Sequence, residues 1–64
     1  MKGTDIKKGA KCPIKDNNGN IVAWTVQWID FNNNMHTRRW EVSEHGEDGA
    51  CILSTQFIDD NKPS

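Results

Sequence analysis

The run Ile21-Val22-Ala23-Trp24-Thr25-Val26-Gln27-Trp28-Ile29-Asp30-Phe31 decides how this chain is read. It is the longest apolar-rich stretch and holds two of the three tryptophans. As a helix it would place Ile21, Trp24 and Trp28 on one stripe, so spacing alone leaves helix and strand open. Composition settles the choice. Ile21, Val22, Thr25 and Val26 are β-branched, which crowds a helix but suits a pleated surface. Asn17-Asn18-Gly19-Asn20 and Asn32-Asn33-Asn34, both rich in turn formers, bracket the run. A helix starting at Asn20 would place Ala23 where a capping box wants Glu or Gln. The sequence predicts a long strand.

Working outward toward the C-terminus, a loop at Asn32-Asn33-Asn34 would face Phe31 with Met35. One sheet face then collects Val22, Trp24, Val26 and Trp28 opposite Val42, Trp40 and Arg38. The other face holds Thr25 and Gln27 opposite Glu41 and Arg39. All three tryptophans fall on the apolar side, and a one-residue slip would split them, so the face assignment is strongly specified. Near the loop the apolar face ends with Trp28 beside Arg38, and then Asp30 beside His36.

Toward the N-terminus, Lys11-Cys12-Pro13-Ile14-Lys15 reads as a short first strand. Pro13 has no backbone donor, which suits a sheet edge. A three-residue loop, Asn17-Asn18-Gly19 with Gly19 left-handed, faces Ile14 with Val22 and Cys12 with Trp24. That register is preferred because a two-residue Asn18-Gly19 loop would set Lys15 against Val22. After the third strand, Glu44 to Gly49 is a polar loop. Ala50-Cys51-Ile52-Leu53-Ser54 reads as a fourth strand, and Gln56-Phe57-Ile58 as a fifth strand or a single helical turn.

The expected fold class is all-β, a small antiparallel meander of four or five strands, flat or curled into a small barrel. The layout resembles the SH3-like barrels in architecture alone. No family motif covers the chain, so the resemblance implies no activity. A flexible basic arm is expected over 1–10, one all-β domain over 11–58, and a disordered tail over 59–64.

Size and charge set further bounds. Sixty-four residues, 34% of them hydrophobic, make one domain, and a core of that size rarely supplies more than about 3–5 kcal/mol. Three tryptophans raise it, and a homodimer interface would raise it further. No run approaches the ~18 apolar residues of a membrane span, and Met1-Lys2-Gly3 leads into polar sequence without a signal-peptide core. The expected compartment is the cytoplasm, with Cys12 and Cys51 as reduced thiols. The net charge of −1 hides an asymmetry: five lysines face one aspartate in residues 1–15, whereas residues 41–60 carry six carboxylates and no Lys or Arg.

Trp28, Arg38, Asp30 and His36 form the most promising constellation, at one end of the sheet. A guanidinium can lie over an indole, and a carboxylate can hold an imidazole. Trp and Arg dominate interface hot spots, although the same residues also serve where a core meets water. Arg38-Arg39-Trp40 invites a nucleic-acid reading as well, with Lys7, Lys8 and Lys11 adding phosphate contacts. Alternation sends Arg38 and Arg39 to opposite faces, and the acidic half argues against that reading. Cys12, His36, His45 and Cys51 number four metal ligands, but their spacing fits no zinc finger. If the first and last strands pair, Cys12 and Cys51 become cross-strand neighbours. His45 among Glu44, Glu47 and Asp48 reads as a solvated turn, and no nucleophile or phosphate loop is visible.

The sequence thus leads to a non-catalytic binding module, with no cofactor and no metal. The expected activity is protein–protein interaction or inhibition, in the manner of small phage or mobile-element products. The binding residues expected are Trp28, Arg38, Asp30, His36 and Arg39, or a sheet edge that adds a partner strand. The alternative is a nucleic-acid-binding β module using the lysine-rich arm with Arg38 and Arg39.

Overall fold

The computed structural model describes residues 5–63. Three strands, β1 (Ile6–Lys15), β2 (Ile21–Asp30) and β3 (Met35–Glu41), form one antiparallel sheet in the order β1-β2-β3. They are followed by a single helical turn, α1 (Val42–His45), and by a 14-residue helix, α2 (Glu47–Asp60). The chain is mainly antiparallel sheet, as expected, with the tryptophan-rich strand at its centre and the Pro13 strand at an edge. The sheet has three strands and is open.

Residues 50–54 correct the expectation of a fourth strand, and 56–58, read as a fifth strand or a single helical turn, are helical, because both stretches lie within α2. Ala50, Leu53, Ser54, Phe57 and Ile58 recur at the three- and four-residue steps of one helical face. That stripe is what packs on the sheet: Ala50 joins Val26 and Trp40 in the core, and Leu53, Phe57 and Ile58 pack around them. Ala50 and Ser54 are fully buried, and their small side chains let the helix come close over Val26. Glu47 and Asp48 occupy the first turn, where the helix dipole favours negative charge. A five-residue apolar run is too short to reveal a period by itself. Gly46 separates the two helices at φ 76° and ψ 163°, a conformation open essentially to glycine alone.

Both hairpin loops span three residues, and both are built on an aspartate. Asp16 Oδ1 accepts the amide protons of Asn18 and Asn20. Asp30 Oδ1 accepts those of Asn32 and Asn34. The third loop residue is left-handed in each case, Gly19 at φ 83° and Asn33 at φ 66°. Asn33 is among the few non-glycine types that tolerate this region. The second loop is therefore Phe31-Asn32-Asn33, one position earlier than expected. Trp24 faces Trp40, Val26 faces Arg38 and Trp28 faces His36, in place of the Val42, Trp40 and Arg38 partners read from the sequence. Moving both ends of the loop together preserves which residues share a face.

In the first hairpin the three-residue loop forms as expected, but the register slips just beyond it. Lys15 pairs with Ile21 and Ile14 with Ala23, leaving Val22 as the extra residue of a bulge. One extra residue exchanges the faces of a strand relative to its neighbour. Cys12 consequently faces Thr25 instead of Trp24, Pro13 faces Trp24, and Lys11 faces Val26 on the helix side.

β1 begins at Ile6, five residues ahead of the expected start. Ile6 is buried, and its amide donates to the Asn61 carbonyl beyond the end of α2. Asp59 and Asp60, expected in a tail, complete the helix. Residues 1–4 of the expected arm and Ser64 of the expected tail lie outside the described residues.

Candidate functional site

The sheet sets the site by dividing its side chains between two faces. The helix side holds Trp24, Val26 and Trp28 of β2, Trp40 and Arg38 of β3, and Lys11 of β1. The opposite side holds Lys8, Ala10, Cys12 and Ile14 of β1, Ala23, Thr25, Gln27 and Ile29 of β2, and Met35, Thr37, Arg39 and Glu41 of β3, as the register and alternation require. The α2 contacts of Trp28, Trp40 and Lys11 all fall on the first side, whereas Ala23 and Thr25 on the second are also buried.

Of the five expected binding residues, three come together. Asp30 is 1% exposed, and its Oδ2 lies 2.7 Å from His36 Nε2. The imidazole stacks on the Trp28 indole at 5.1 Å between centroids and 18° between planes. Trp28 in turn meets Phe57 of α2 at 4.9 Å. His36, half-buried at 36% side-chain exposure, is the outer layer of this stack. The His36 hydrogen bond, followed by the backbone amides of Asn34 and Asn32, holds the Asp30 carboxyl below its ordinary 3.8, against the opposing pull of burial. This arrangement ties the β2–β3 turn to the core. Among the described residues, the indole N–H groups of Trp24 and Trp28 are buried without an acceptor.

Arg38 and Arg39 do not join the stack. The Arg38 guanidinium lies 5.2 Å from the ring centres of both Trp40 and Phe57, which corrects the expectation that it covers Trp28. The register sets Arg38 opposite Val26 and gives Trp28 His36 as its partner, and the helix brings Phe57 to Arg38 as a second ring beside Trp40. Arg39 points to the opposite face and pairs with Glu41, Nε to Oε1, at 2.5 Å.

Lys11, a phosphate contact in the alternative nucleic-acid reading, bridges β1 to α2. Its Nζ donates to Thr55 Oγ1 at 2.6 Å and to the Cys51 carbonyl at 3.1 Å, and lies 4.6 Å from the centre of the Trp24 ring. Cys12 is exposed on the far face of the sheet, so it and Cys51 are not the neighbours that paired end strands would have made them. His45 Nε2 lies 3.7 Å from Glu44 Oε2 in α1. Among the described residues, no three of His, Cys, Asp and Glu gather as a metal site, and no helix is long and apolar enough to cross a membrane.

Sequence reasoning missed a surface on the second face. Ala10, Gln27, Ile29, Met35 and Lys8, with Gly9 and Trp28 at its floor, line a shallow depression of about 210 Å³. Met35 is 72% exposed at its edge. The alternation that puts Trp28 against the helix also puts Ile29 and Met35 opposite each other on that face, so the strand pattern held the signal. No protein-family model, curated protein or solved structure matches this chain.

Proposed function

We propose that this protein is a non-catalytic module that binds another protein through the second face of its sheet, at the Ile29/Met35 end. The observation that carries the reading is the largely exposed Met35, set beside Ile29 over a shallow apolar depression on the face opposite the α2 contacts. Flexible, polarizable Met is over-represented at interaction surfaces. The strands beneath it are held by the helix on their other side, so the surface is presented on rigid elements. The Trp28–His36–Asp30 stack lies on the other side of the sheet and ties this end of it to the core. A compartment open to the cytosol and a role in inhibiting a host protein fit the same reading. Its test is affinity capture of the tagged protein with and without nuclease. A stoichiometric protein retained after nuclease, and lost with Met35→Glu, supports it. Equal capture by Met35→Glu and the unmodified chain would overturn it.

The nucleic-acid reading keeps one favourable observation. The carboxylates of residues 44–60 lie in α1 and α2, whereas β1 carries Lys7, Lys8, Lys11 and Lys15 and β3 carries Arg38 and Arg39. Against it, Lys11 and Arg38 are engaged on the helix side and Arg39 is paired with Glu41. Partners that disappear on nuclease treatment, with affinity falling steeply in salt, would favour it over the protein reading.

A further inference from the structure

Lys11 and Cys51 stand 40 positions apart in sequence, yet Lys11 Nζ lies 3.1 Å from Cys51 Sγ. The amine is held there by contacts independent of the sulfur: the Thr55 hydroxyl, the Cys51 carbonyl and the Trp24 ring. Cys51 is half-buried and faces an exposed Thr55, so a small oxidant in solvent can reach the sulfur. Cys12 supplies an internal comparison. It is exposed, on the opposite face, and the contact shown for its sulfur is with the Pro13 carbonyl at 3.6 Å.

We propose that Lys11 and Cys51 are the two halves of a redox-formed sulfenamide cross-link that fastens β1 to α2, with hydrogen peroxide as the oxidant. In the first step the Cys51 sulfur attacks one peroxide oxygen. The O–O bond breaks, sulfur is oxidised by two electrons, and the products are a sulfenic acid and one water. In the second step the Lys11 ammonium gives a proton to solvent, and the neutral amine attacks the same sulfur. An S–N bond forms, the S–O bond breaks, and the departing hydroxide takes one of the two amine protons to leave as a second water, the other staying on the sulfenamide nitrogen. One peroxide is consumed, two waters are released, and the protein ends two hydrogen atoms lighter than its thiol and amine. Sulfenic acids are known to condense in this way with a nearby nitrogen. A small thiol in excess reverses the link: two thiols become a disulfide, and the two hydrogens return to Cys51 and Lys11.

The link joins a sheet edge to the second turn of α2, across the interface on which the core depends. Cross-linking distant positions removes freedom from the unfolded chain, so oxidation is expected to raise the thermal midpoint and reduction to restore it. At the same oxidant concentration Cys12, whose sulfur meets the Pro13 carbonyl and, among the described residues, no amine within hydrogen-bond distance, stops at oxygen adducts or joins a second chain by a disulfide.

The test is intact-mass and peptide mapping of the full chain after mild peroxide, without reductant. The expected result is a loss of two hydrogens, a cross-linked peptide joining Lys11 to Cys51, protection of Lys11 from trypsin, and reversal by dithiothreitol. The link should persist in Cys12→Ser and vanish in Cys51→Ser and Lys11→Arg. Cys51 carrying added oxygen without a link, or Cys51 left unoxidised while Cys12 reacts, would overturn the proposal. Mapping of the unmodified chain decides this even if a variant fails to fold.

Discussion

Replacing Trp40 by alanine tests the core most directly. Trp40 is 6% exposed, faces Trp24 across the β2–β3 pair, and meets Phe57 of α2 at 5.4 Å. Among the described residues it is the largest of the buried hydrophobics in the cluster that sheet and helix share. Burying roughly 200 Å² at about 25 cal/mol per Å² is worth up to about 5 kcal/mol, an upper bound because an unfolded chain already buries part of that area. Measured losses for Trp or Phe to Ala in cores run about 3–5 kcal/mol. A domain of this size holds about that much in total, so Trp40→Ala should be largely unfolded at 25 °C. Trp28 is only partly buried and its outer face is covered by His36, so Trp28→Ala should cost clearly less and remain folded. The assay is urea unfolding followed by far-UV circular dichroism. With a slope near 1 kcal/mol per molar urea, Trp40→Ala should show no native baseline, while Trp28→Ala shows a lowered midpoint. A folded Trp40→Ala losing under about 1 kcal/mol, or equal losses at both positions, would refute the account of the core.

Gly46→Ala should lose about 1–3 kcal/mol in the same assay, because φ 76° with ψ 163° is strained for any side chain although the space around it is open; a loss under 0.5 kcal/mol, on the order of an ordinary surface change, would contradict the glycine-only backbone there. The folded Asp30 carboxyl ionises more readily than the unfolded one, so its contribution is complete well above pH 3.8 and is lost as the pH falls through the lowered folded value. Over the range in which Asp30 itself titrates, the stability difference between the unmodified chain and Asp30→Asn, followed by acid titration, should therefore shrink as the pH falls below about 4. A difference that grows as the pH falls below about 4 would have the wrong sign. Met35→Glu should leave stability within about 0.5 kcal/mol, since Met35 is largely exposed; a larger loss on urea unfolding would mean that Met35 belongs to the fold and not to a binding face.

Several features were legible because they rest on local chemistry. The β-branched run 21–30 could settle only as a strand. The three-residue loop before it needed a left-handed residue, and Gly19 supplies one. The same signal was present in the second loop. Asp30-Phe31-Asn32-Asn33-Asn34 repeats the Asp16-Asn17-Asn18-Gly19-Asn20 arrangement with Asn33 in place of the glycine, and reading the two together would have set the loop at 31–33. The contact between Asp30 and His36 was also readable, because both sit within a few positions of that turn.

The sequence alone determined the central strand, its two hairpins, the edge position of the Pro13 strand and the sharing of one face by the tryptophans. Each follows from backbone preferences and from a period of two. Only the tertiary structure decided that residues 47–60 are a helix, since Ala50 to Ser54 suits either form until a sheet face is there to receive Ala50, Leu53 and Phe57. It also decided where the long cations go. The Val22 bulge turned Lys11 toward the helix, and α2 brought Phe57 to Arg38, which the β2–β3 register had already set opposite Val26. A long, flexible charged side chain reaches whatever carbonyl or ring the fold brings near, and that is a property of distant residues meeting in space.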